Sequence, residues 1–338
     1  MNRIELISAL TACTKIKKSN QQELLSCVAI SDKAVEFTNL RESIKVEIDI
    51  GCGEFCVELG ALLNSLKAVR ANDVYLTHKG STLEISHTDG DFKLATHDRD
   101  EYPFLDWHES FEAMFDLNLE HLKQVRHAQA VDSMREALCG VYVLDDGAVA
   151  TDGRRLAIAG TAKGKEGLTI PTDAVNAIVG VLDGDVAGLK NKGSIILRGT
   201  ANDLPVVLTS TLITSEYPNY KNVIPLYSET SATINASDLK YALSATSPAV
   251  DNDILAIDLI VEKDSFKVHA EAVGRASDAH FKCESNQDLN IRLNARYLKN
   301  AIANCGDSIK LSYDGINDPV VVKGDDYLEV VMPMRTLN

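Results

Sequence analysis

The chain has 338 residues and a mass of 36.8 kDa, which is room for two or three domains. Apolar residues make up 45% of it and charged residues 25%, a balance that excludes a disordered chain. The formal net charge of −15 argues against a protein that wraps nucleic acid with its whole surface, and it leaves room only for one segregated basic face.

Six helices are predicted, in chain order, from apolar stripes with a helical period. They cover residues 3–13, 59–69, 118–131, 172–182, 235–246 and 294–305. The third and the fifth open with an asparagine in the N-cap position, Asn118 and Asn235, where the short side chain accepts an unpaired backbone N–H.

Short β-rich runs lie between these helices. They include residues 26–30, 74–77, 140–144, 194–197, 256–260 and 308–311. The turn Asp145-Asp146-Gly147 indicates a tight hairpin, because aspartate and glycine tolerate positive φ angles.

The order helix, strand meander, helix, strands occurs three times at intervals of about 110–120 residues, the size of a domain. Two of the segments also close alike, with Glu101-Tyr102-Pro103 and Glu216-Tyr217-Pro218. We therefore predict three similar α+β domains, residues 1–113, 114–228 and 229–338, each with two helices packed on antiparallel sheet.

Positive residues concentrate on or just after the helices, whereas much of the acid lies in turns and strands. A basic surface on one side of an acidic protein binds phosphates without reading bases. The candidates for contact with DNA are Lys15, Lys17, Lys18, Lys67, Lys123, Arg126, Lys240, Arg296 and Lys299. For any one of them alone, a solvated helix face is the simpler interpretation.

The cysteine pattern and the missing motifs indicate the cellular compartment and the kinds of site that the chain can hold. The seven scattered cysteines contain no Cys-x-x-Cys pair, which is typical of reduced thiols in a cytoplasmic protein. No run of 18 apolar residues and no secretory signal is visible. The sequence has no P-loop and no His-Glu-x-x-His motif, so we predict no catalytic residue, no cofactor and no metal site. Asp152 is interpreted as a turn residue rather than a catalytic carboxylate.

Four motifs are specific. They are Ala150-Thr151-Asp152-Gly153-Arg154-Arg155-Leu156-Ala157, the run from Glu216 to Pro225, Leu293-Asn294-Ala295-Arg296-Tyr297-Leu298, and the run from Tyr327 to Arg335. In this order and on a threefold repeat, they resemble the bacterial DNA polymerase III beta subunits, the sliding clamps. The sequence motifs match in the second and third domains, and the first domain matches in its order of helices and strands.

The resemblance implies a DNA clamp fold and a non-catalytic processivity factor. Two chains would join head to tail as a homodimeric ring around duplex DNA, with helices lining the channel. A closed ring leaves no free sheet edge and cannot fall off DNA, so weak phosphate contacts then suffice. The replicative DNA polymerase and the clamp loader are the implied partners.

The resemblance also implies a partner-binding cleft between the second and third domains for short linear motifs. Carried over by position, it comprises Leu138, Thr151, Gly153, Arg154, Arg155, Leu156, Pro218, Val223, Ile254, Asn294, Tyr297, Val330, Val331, Met332, Pro333 and Met334. Leu156, Val330 and Val331 are equally well explained as plain core.

The sequence departs from the family pattern. Arg154 stands where the family usually has histidine, and Asn222 where a basic residue is common. Residues 172–182 hold no lysine or arginine, and Thr336-Leu337-Asn338 extend beyond the usual end. Met1 leads almost directly into the first helix, so we expect the first domain to lack an edge strand.

Two other hypotheses remain open at this point. One is a monomeric module that binds clamp partners without encircling DNA, and the other is a catalytic protein acting on nucleic acid. The mass in solution tests the first, and an activity lost on replacing Asp152 would support the second.

Overall fold

A computed structural model describes residues 1–19, 22–103, 113–164, 166–226 and 231–334. The predicted boundary at residue 228, the closing Arg335 and the final Thr336-Leu337-Asn338 lie outside the described residues. No helix in these ranges combines the length and the apolar character that crossing a membrane requires.

All six predicted helices are present. They are α1 (Arg3–Cys13), α2 (Leu59–Ala68), α3 (Leu119–Val125), α4 (Thr172–Val181), α5 (Ala236–Thr246) and α6 (Ala295–Ala303). The third is shorter than predicted and continues as a 3-10 turn, Arg126–Ala128. It ends there because Gln129 is extended and the Ala130 N–H donates to the Leu138 carbonyl at 2.9 Å instead of to a helical one.

The strands pair in an antiparallel sense wherever their register is defined. They are β1 (Cys27–Ser31), β2 (Ala34–Thr38), β3 (Glu42–Glu47), β4 (Phe55–Glu58), β5 (Tyr75–Lys79), β6 (Thr82–His87), β7 (Gly90–His97), β8 (Ala113–Leu117), β9 (Gly140–Leu144), β10 (Gly147–Thr151), β11 (Arg155–Gly160), β12 (Gly167–Pro171), β13 (Asp183–Lys190), β14 (Ser194–Ala201), β15 (Leu204–Thr211), β16 (Ala232–Asn235), β17 (Ala256–Glu262), β18 (Ser265–Ala272), β19 (Arg275–Lys282), β20 (Glu284–Ser285), β21 (Leu289–Asn294), β22 (Ser308–Ser312), β23 (Val320–Lys323) and β24 (Tyr327–Val331).

The hairpin predicted at residues 145–147 is confirmed, since Leu144 of β9 lies opposite Gly147 of β10. None of these three residues has a positive φ angle. Asp146 stabilises the turn differently: its carboxylate accepts hydrogen bonds from the backbone N–H of Lys163 (2.8 Å) and Gly164 (3.1 Å).

One compact unit consists of Met1–Leu119 and Leu168–Thr214. Its sheet has the strand order β5-β6-β7-β4-β1-β2-β3-β15-β14-β13-β8 within the described residues. The pair β3–β15 joins the first predicted domain to the second, with the buried side chains of Ile44 and Leu208 opposite each other. The chain start also pairs, through one bridge between Asn2 and Asp73, where an edge strand was expected to be lacking.

The other unit consists of Glu120–Gly167 and Ser215–Asn338. In its described part the strands run β9-β10-β11-β24-β23-β22-β16-β20 in one sheet and β19-β18-β17-β21 in another. The pair β11–β24 places Leu156 opposite Val330, and both belong to one buried apolar cluster. Strands from neighbouring predicted domains thus pair within one sheet. For this reason the chain forms two compact units rather than three. The division into three domains stays a prediction.

Candidate functional site

The segment from Thr151 to Arg155 is a tight, fully hydrogen-bonded turn. The Thr151 hydroxyl donates to the Arg155 carbonyl at 2.6 Å, and Asp152 Oδ1 accepts from the N–H groups of Arg154 (2.9 Å) and Arg155 (3.1 Å). Gly153 lies between them with a φ of +84°, a conformation that favours glycine. Asp152 is therefore engaged in holding the turn, as the sequence indicated.

Arg155 is the buried centre of the site. Its side chain is only 7% exposed, and its Nε donates to Asp152 Oδ2 at 3.2 Å. A second guanidinium nitrogen donates to the His127 carbonyl, and the group lies 4.3 Å above the centroid of the Tyr297 ring. Its Nη1 has no hydrogen-bond partner among the described residues. The ring of Tyr297 and the carbonyl of His127 together fix this guanidinium.

A buried carboxylate lies behind Arg155. Glu329 is fully buried on β24, and its Oε2 accepts a hydrogen bond from His127 Nε2 at 2.9 Å and another from the Tyr327 hydroxyl. Burial raises the pKa of the Tyr327 phenol far above its ordinary range, and the charge of Glu329 adds to the rise. The His127 ring contacts Glu329, and the His127 carbonyl accepts from Arg155. His127 therefore links these two residues.

A cleft of about 640 Å³ lies beside Arg155, Tyr297 and His127. It is lined by His127, Gln129, Ala130, Val131, Asp132, Ser133, Asp152, Arg154, Arg155, Arg296, Tyr297 and Asn300. Three residues predicted for partner binding lie here, namely Arg154, Arg155 and Tyr297. Arg296, which was predicted to contact DNA, lines the same cleft.

Sequence reasoning missed the wall made by residues 127–133. The available signal was Val131, an apolar residue in the stretch that was assigned to the third helix. In the structure it is 91% exposed at the rim of the cleft, beyond the point where the helix ends.

The other residues predicted for partner binding fall into three groups by burial. The exposed group consists of Gly153, Pro218, Val223, Ile254 and Met332. The half-buried group consists of Thr151, Asn294, Pro333 and Met334. The group buried in the core consists of Leu138, Leu156, Val330 and Val331. Ile254 lines a separate cavity of about 80 Å³ rather than the main cleft.

The chain end is attached to the site by backbone hydrogen bonds. The Met332 N–H donates to the Arg154 carbonyl at 3.0 Å, and the Met334 N–H donates to the Arg292 carbonyl at 2.8 Å. Asn294 serves α6 as N-cap, accepting from the N–H groups of Arg296 (3.0 Å) and Tyr297 (3.2 Å). Both residues that follow this cap line the cleft.

The nine candidate DNA contacts are all exposed, but three of them have acidic partners. Lys17 lies 2.9 Å from Asp173, Lys18 lies 3.6 Å from Glu58, and Lys123 lies 3.7 Å from Glu120. The stem of Lys15 runs past Gly180 of α4, with its Cδ 3.4 Å from where a β-carbon of that glycine would lie. Lysines that follow α1 thus lie against α4, the helix that has no basic residue of its own.

No family model matches the chain. It is 23% identical over 330 residues to the beta sliding clamp of Rickettsia bellii, which covers 88% of this chain and 86% of that one. The structure superposes with a TM-score of 0.86 on a sliding clamp from Bartonella birtlesii bound to griselimycin, at 21% identity over 99% of this chain and 98% of that one. The Helicobacter pylori beta clamp bound to a DNA ligase peptide gives a TM-score of 0.84 at 16% identity, over 99% of both chains.

The chain has the sliding-clamp fold and is homologous to the beta sliding clamps. The predicted resemblance and the predicted fold class are thereby confirmed. The likeness to the clamp structures extends over essentially the whole chain, including the first domain, which the sequence matched only in plan.

Proposed function

We propose that the protein is a non-catalytic sliding clamp that encircles duplex DNA as a head-to-tail homodimer and tethers a replicative DNA polymerase and other partners. The observation that carries this proposal is the likeness to clamp structures over 99% of the chain, together with curated relatives that bear the clamp name. The clamp loader is an expected partner of such a ring. We place the protein in the cytoplasm, since its seven cysteines are free thiols.

The cleft beside Arg155 is the proposed site for partner peptides. Its volume of about 640 Å³ lies within the range of sites that hold small ligands or a few side chains. Related clamps are known with a DNA ligase peptide and with griselimycin bound. A rigid turn, a buried guanidinium and an aromatic ring suit a surface that must hold a short segment in one orientation.

Ring closure is supported by the sheet edges. Strand β5 lies at one edge of its sheet and β19 at an edge of another, and each leaves backbone groups unpaired within the described residues. Two copies joined through these strands would make two identical contacts and leave neither edge free. Tyr241 is 66% exposed beside β19, where its ring meets Phe281 edge-on.

The proposed DNA surface is formed by exposed cations on helices, among them Lys67, Arg126 and Lys240. They bind phosphates weakly, which suits a protein that must slide. The acidic neighbours of Lys17, Lys18 and Lys123 reduce the local field further. Retention then depends on the closed ring rather than on the contacts.

The DNA surface is tested with the double variant Lys123→Gln/Arg126→Gln on a short duplex. We expect lower affinity and a salt slope shallower by about 2, because two phosphate contacts are lost. The matched control is Lys163→Gln/Lys221→Gln, which removes two exposed lysines that lie outside α1–α6 and outside the 3-10 turn that follows α3. An unchanged slope in the helix variant, or equal changes in both, would refute this placement of the DNA.

A further inference from the structure

Three buried polar atoms without a partner lie around His127. Within the described ranges, four buried side-chain atoms have no hydrogen-bond partner, and three of them belong to Gln129, Arg155 and Glu329. The fourth, the Thr209 hydroxyl, belongs to the other compact unit. Buried polar groups in folded proteins are nearly always paired, so three unpaired atoms in one region require an explanation.

His127 brings the three residues together. Its carbonyl accepts a hydrogen bond from Arg155, and its ring Nε2 lies 2.9 Å from Glu329 Oε2. Gln129 follows two residues later, where the backbone leaves the 3-10 turn and becomes extended. Gln129 is the most exposed of the three and is still only 9% exposed. The unpaired atoms therefore belong to the interior of the protein rather than to its surface.

The pairing of β11 with β24 places Arg155 and Glu329 on the same face of the sheet. Arg155 lies opposite Val331 and Glu329 lies opposite Ala157, so the two charged residues are diagonal neighbours. Diagonal neighbours in antiparallel sheet are about 7–8 Å apart, a distance that long side chains can bridge. Among the described residues the two opposite charges make no direct ion pair, because each pairs with a different residue. One atom at the end of each side chain is left over.

The three unpaired atoms match the hydrogen-bonding capacity of one water molecule. Arg155 Nη1 can only donate, whereas the carboxylate oxygen Glu329 Oε1 and the amide oxygen Gln129 Oε1 can only accept. A water molecule accepts from one such donor and donates to two such acceptors. Buried waters typically make about three hydrogen bonds to groups that are otherwise unsatisfied. A cation would be repelled by the guanidinium and an anion by the carboxylate, so a neutral molecule is the matching ligand.

The cleft gives solvent a route to this position. His127, Gln129 and Arg155 all line the cleft of about 640 Å³, and the fully buried Glu329 lies behind them. A water molecule held by these side chains is therefore separated from the solvent in the cleft by one layer of residues.

We propose that one buried water molecule bridges Arg155 Nη1, Glu329 Oε1 and Gln129 Oε1 behind the wall of the cleft. The water pairs two buried opposite charges that do not touch each other, since a water-mediated hydrogen bond is nearly as favourable as a direct one. It also attaches the wall made by residues 127–133 to β11 and β24. The water belongs to the free protein, so this inference does not depend on the proposed function.

A high-resolution crystal structure of the unmodified protein tests the inference without any variant. It should show one well-ordered water within about 2.7–3.2 Å of all three atoms. In solution, magnetic relaxation dispersion of the water signal counts long-lived internal waters. It should find one fewer in Gln129→Met than in the unmodified protein.

Gln129→Met keeps a side chain of similar length but removes one acceptor of the bridge. If the water is present, the variant loses a hydrogen bond and its Tm should fall by about 2 °C. If Gln129 Oε1 is instead simply unsatisfied, its removal should leave Tm unchanged or raise it. Gln124→Met is the matched control, because Gln124 on α3 is half-buried and contributes no unpaired atom. The control should keep the water.

Several results would overturn the inference. They are a crystal structure without a water between the three atoms, a direct contact of Arg155 with Glu329, and a Gln129 amide turned so that its nitrogen donates to Glu329. An unchanged or raised Tm in Gln129→Met, or loss of the water from Gln124→Met as well, would also overturn the three-point bridge. The proposed function would stand in each case, because it concerns the surface and the ring rather than this interior site.

Discussion

Glu329 shows how one buried carboxylate organises the proposed partner site. A carboxylate with no exposure is costly unless it is paired, and His127 and Tyr327 pair its Oε2, whereas its Oε1 has no hydrogen-bond partner among the described residues. Because the His127 carbonyl also accepts from Arg155, the same contacts that make the charge tolerable also hold the guanidinium at the cleft. The stability of the core and the geometry of the cleft are therefore coupled through His127.

Replacing His127 by alanine should lower the free energy of unfolding by about 3 kcal/mol, because the buried carboxylate of Glu329 loses a hydrogen-bond partner. His121→Ala is the matched control. His121 precedes α3's last turn and is as little exposed as His127, but its partner Asp326, at 3.5 Å, is 67% exposed, so its loss should cost less than the loss of His127. Urea unfolding measures both, and equal costs would contradict the assignment of a buried charge to Glu329.

The buried thiols predict an alkaline limit to stability. Burial raises the pKa of Cys56 to about 12 and that of Cys305 to about 11, from an ordinary value of 9.0. The unfolded chain releases these protons first, so the contribution of these two thiols to stability is constant below pH 9 and is lost as the pH rises from there towards 11. The slope should be about 1 kcal/mol per pH unit for each thiol.

Urea midpoints measured from pH 8 to pH 10.5 test this, and Cys305→Ala should make the decline less steep. A midpoint that does not change with pH, or that rises, would show that these thiols are not buried in the folded protein.

At the scale of elements, helix caps connect local structure to the cleft. Asn235 and Asn294 cap α5 and α6 in the same way, but only the cap of α6 precedes residues that line the cleft. Either substitution by alanine should cost about 1 kcal/mol of stability.

Only Asn294→Ala should also weaken peptide binding, because Arg296 and Tyr297 depend on the first turn of α6. Asn294→Asp should restore both properties, since aspartate caps equally well. Calorimetry of unfolding together with peptide polarisation tests this pair of variants. A loss of binding in Asn235→Ala as well would mean that the effect is general destabilisation.

The bounds of most helices could be predicted from the sequence. Helix periodicity and cap residues fixed α1, α2 and α4 to α6 to within about two residues, which is the usual uncertainty of element ends. The end of α3 could not be predicted, because it depends on a hydrogen bond from Ala130 to Leu138 eight residues further along the chain.

The cleft was predicted only in part for the same reason. Arg155 and Tyr297 were placed by motif, whereas the 127–133 wall forms through contacts with residues far along the chain, such as Glu329. The pairing of β11 with β24 joins residues more than 160 positions apart, and no local pattern specifies such a register.

At the scale of the whole molecule, the three antiparallel sheets formed by the described residues have six edge strands, and β19 is one of them. An exposed aromatic ring beside an unpaired edge is typical of a residue that anchors an interface. Tyr241 meets this description, being 66% exposed and in edge-on contact with Phe281 of β19.

Tyr241→Glu should therefore weaken the proposed dimer about 10-fold or more, because it would place a charge at the proposed contact, while the exposed position spares the fold. Ile316→Glu is the matched control: Ile316 is 64% exposed in the turn between β22 and β23. Sedimentation velocity over a dilution series measures both. If the two variants dissociate alike, or neither does, Tyr241 is not at the interface.

The central claim is that two chains close into one ring, and the molar mass in solution tests it most directly. Size-exclusion chromatography with light scattering at low micromolar concentration should give twice the chain mass of 36.8 kDa. A stable species with the mass of one chain would contradict the ring and would favour a monomeric module that binds clamp partners without encircling DNA.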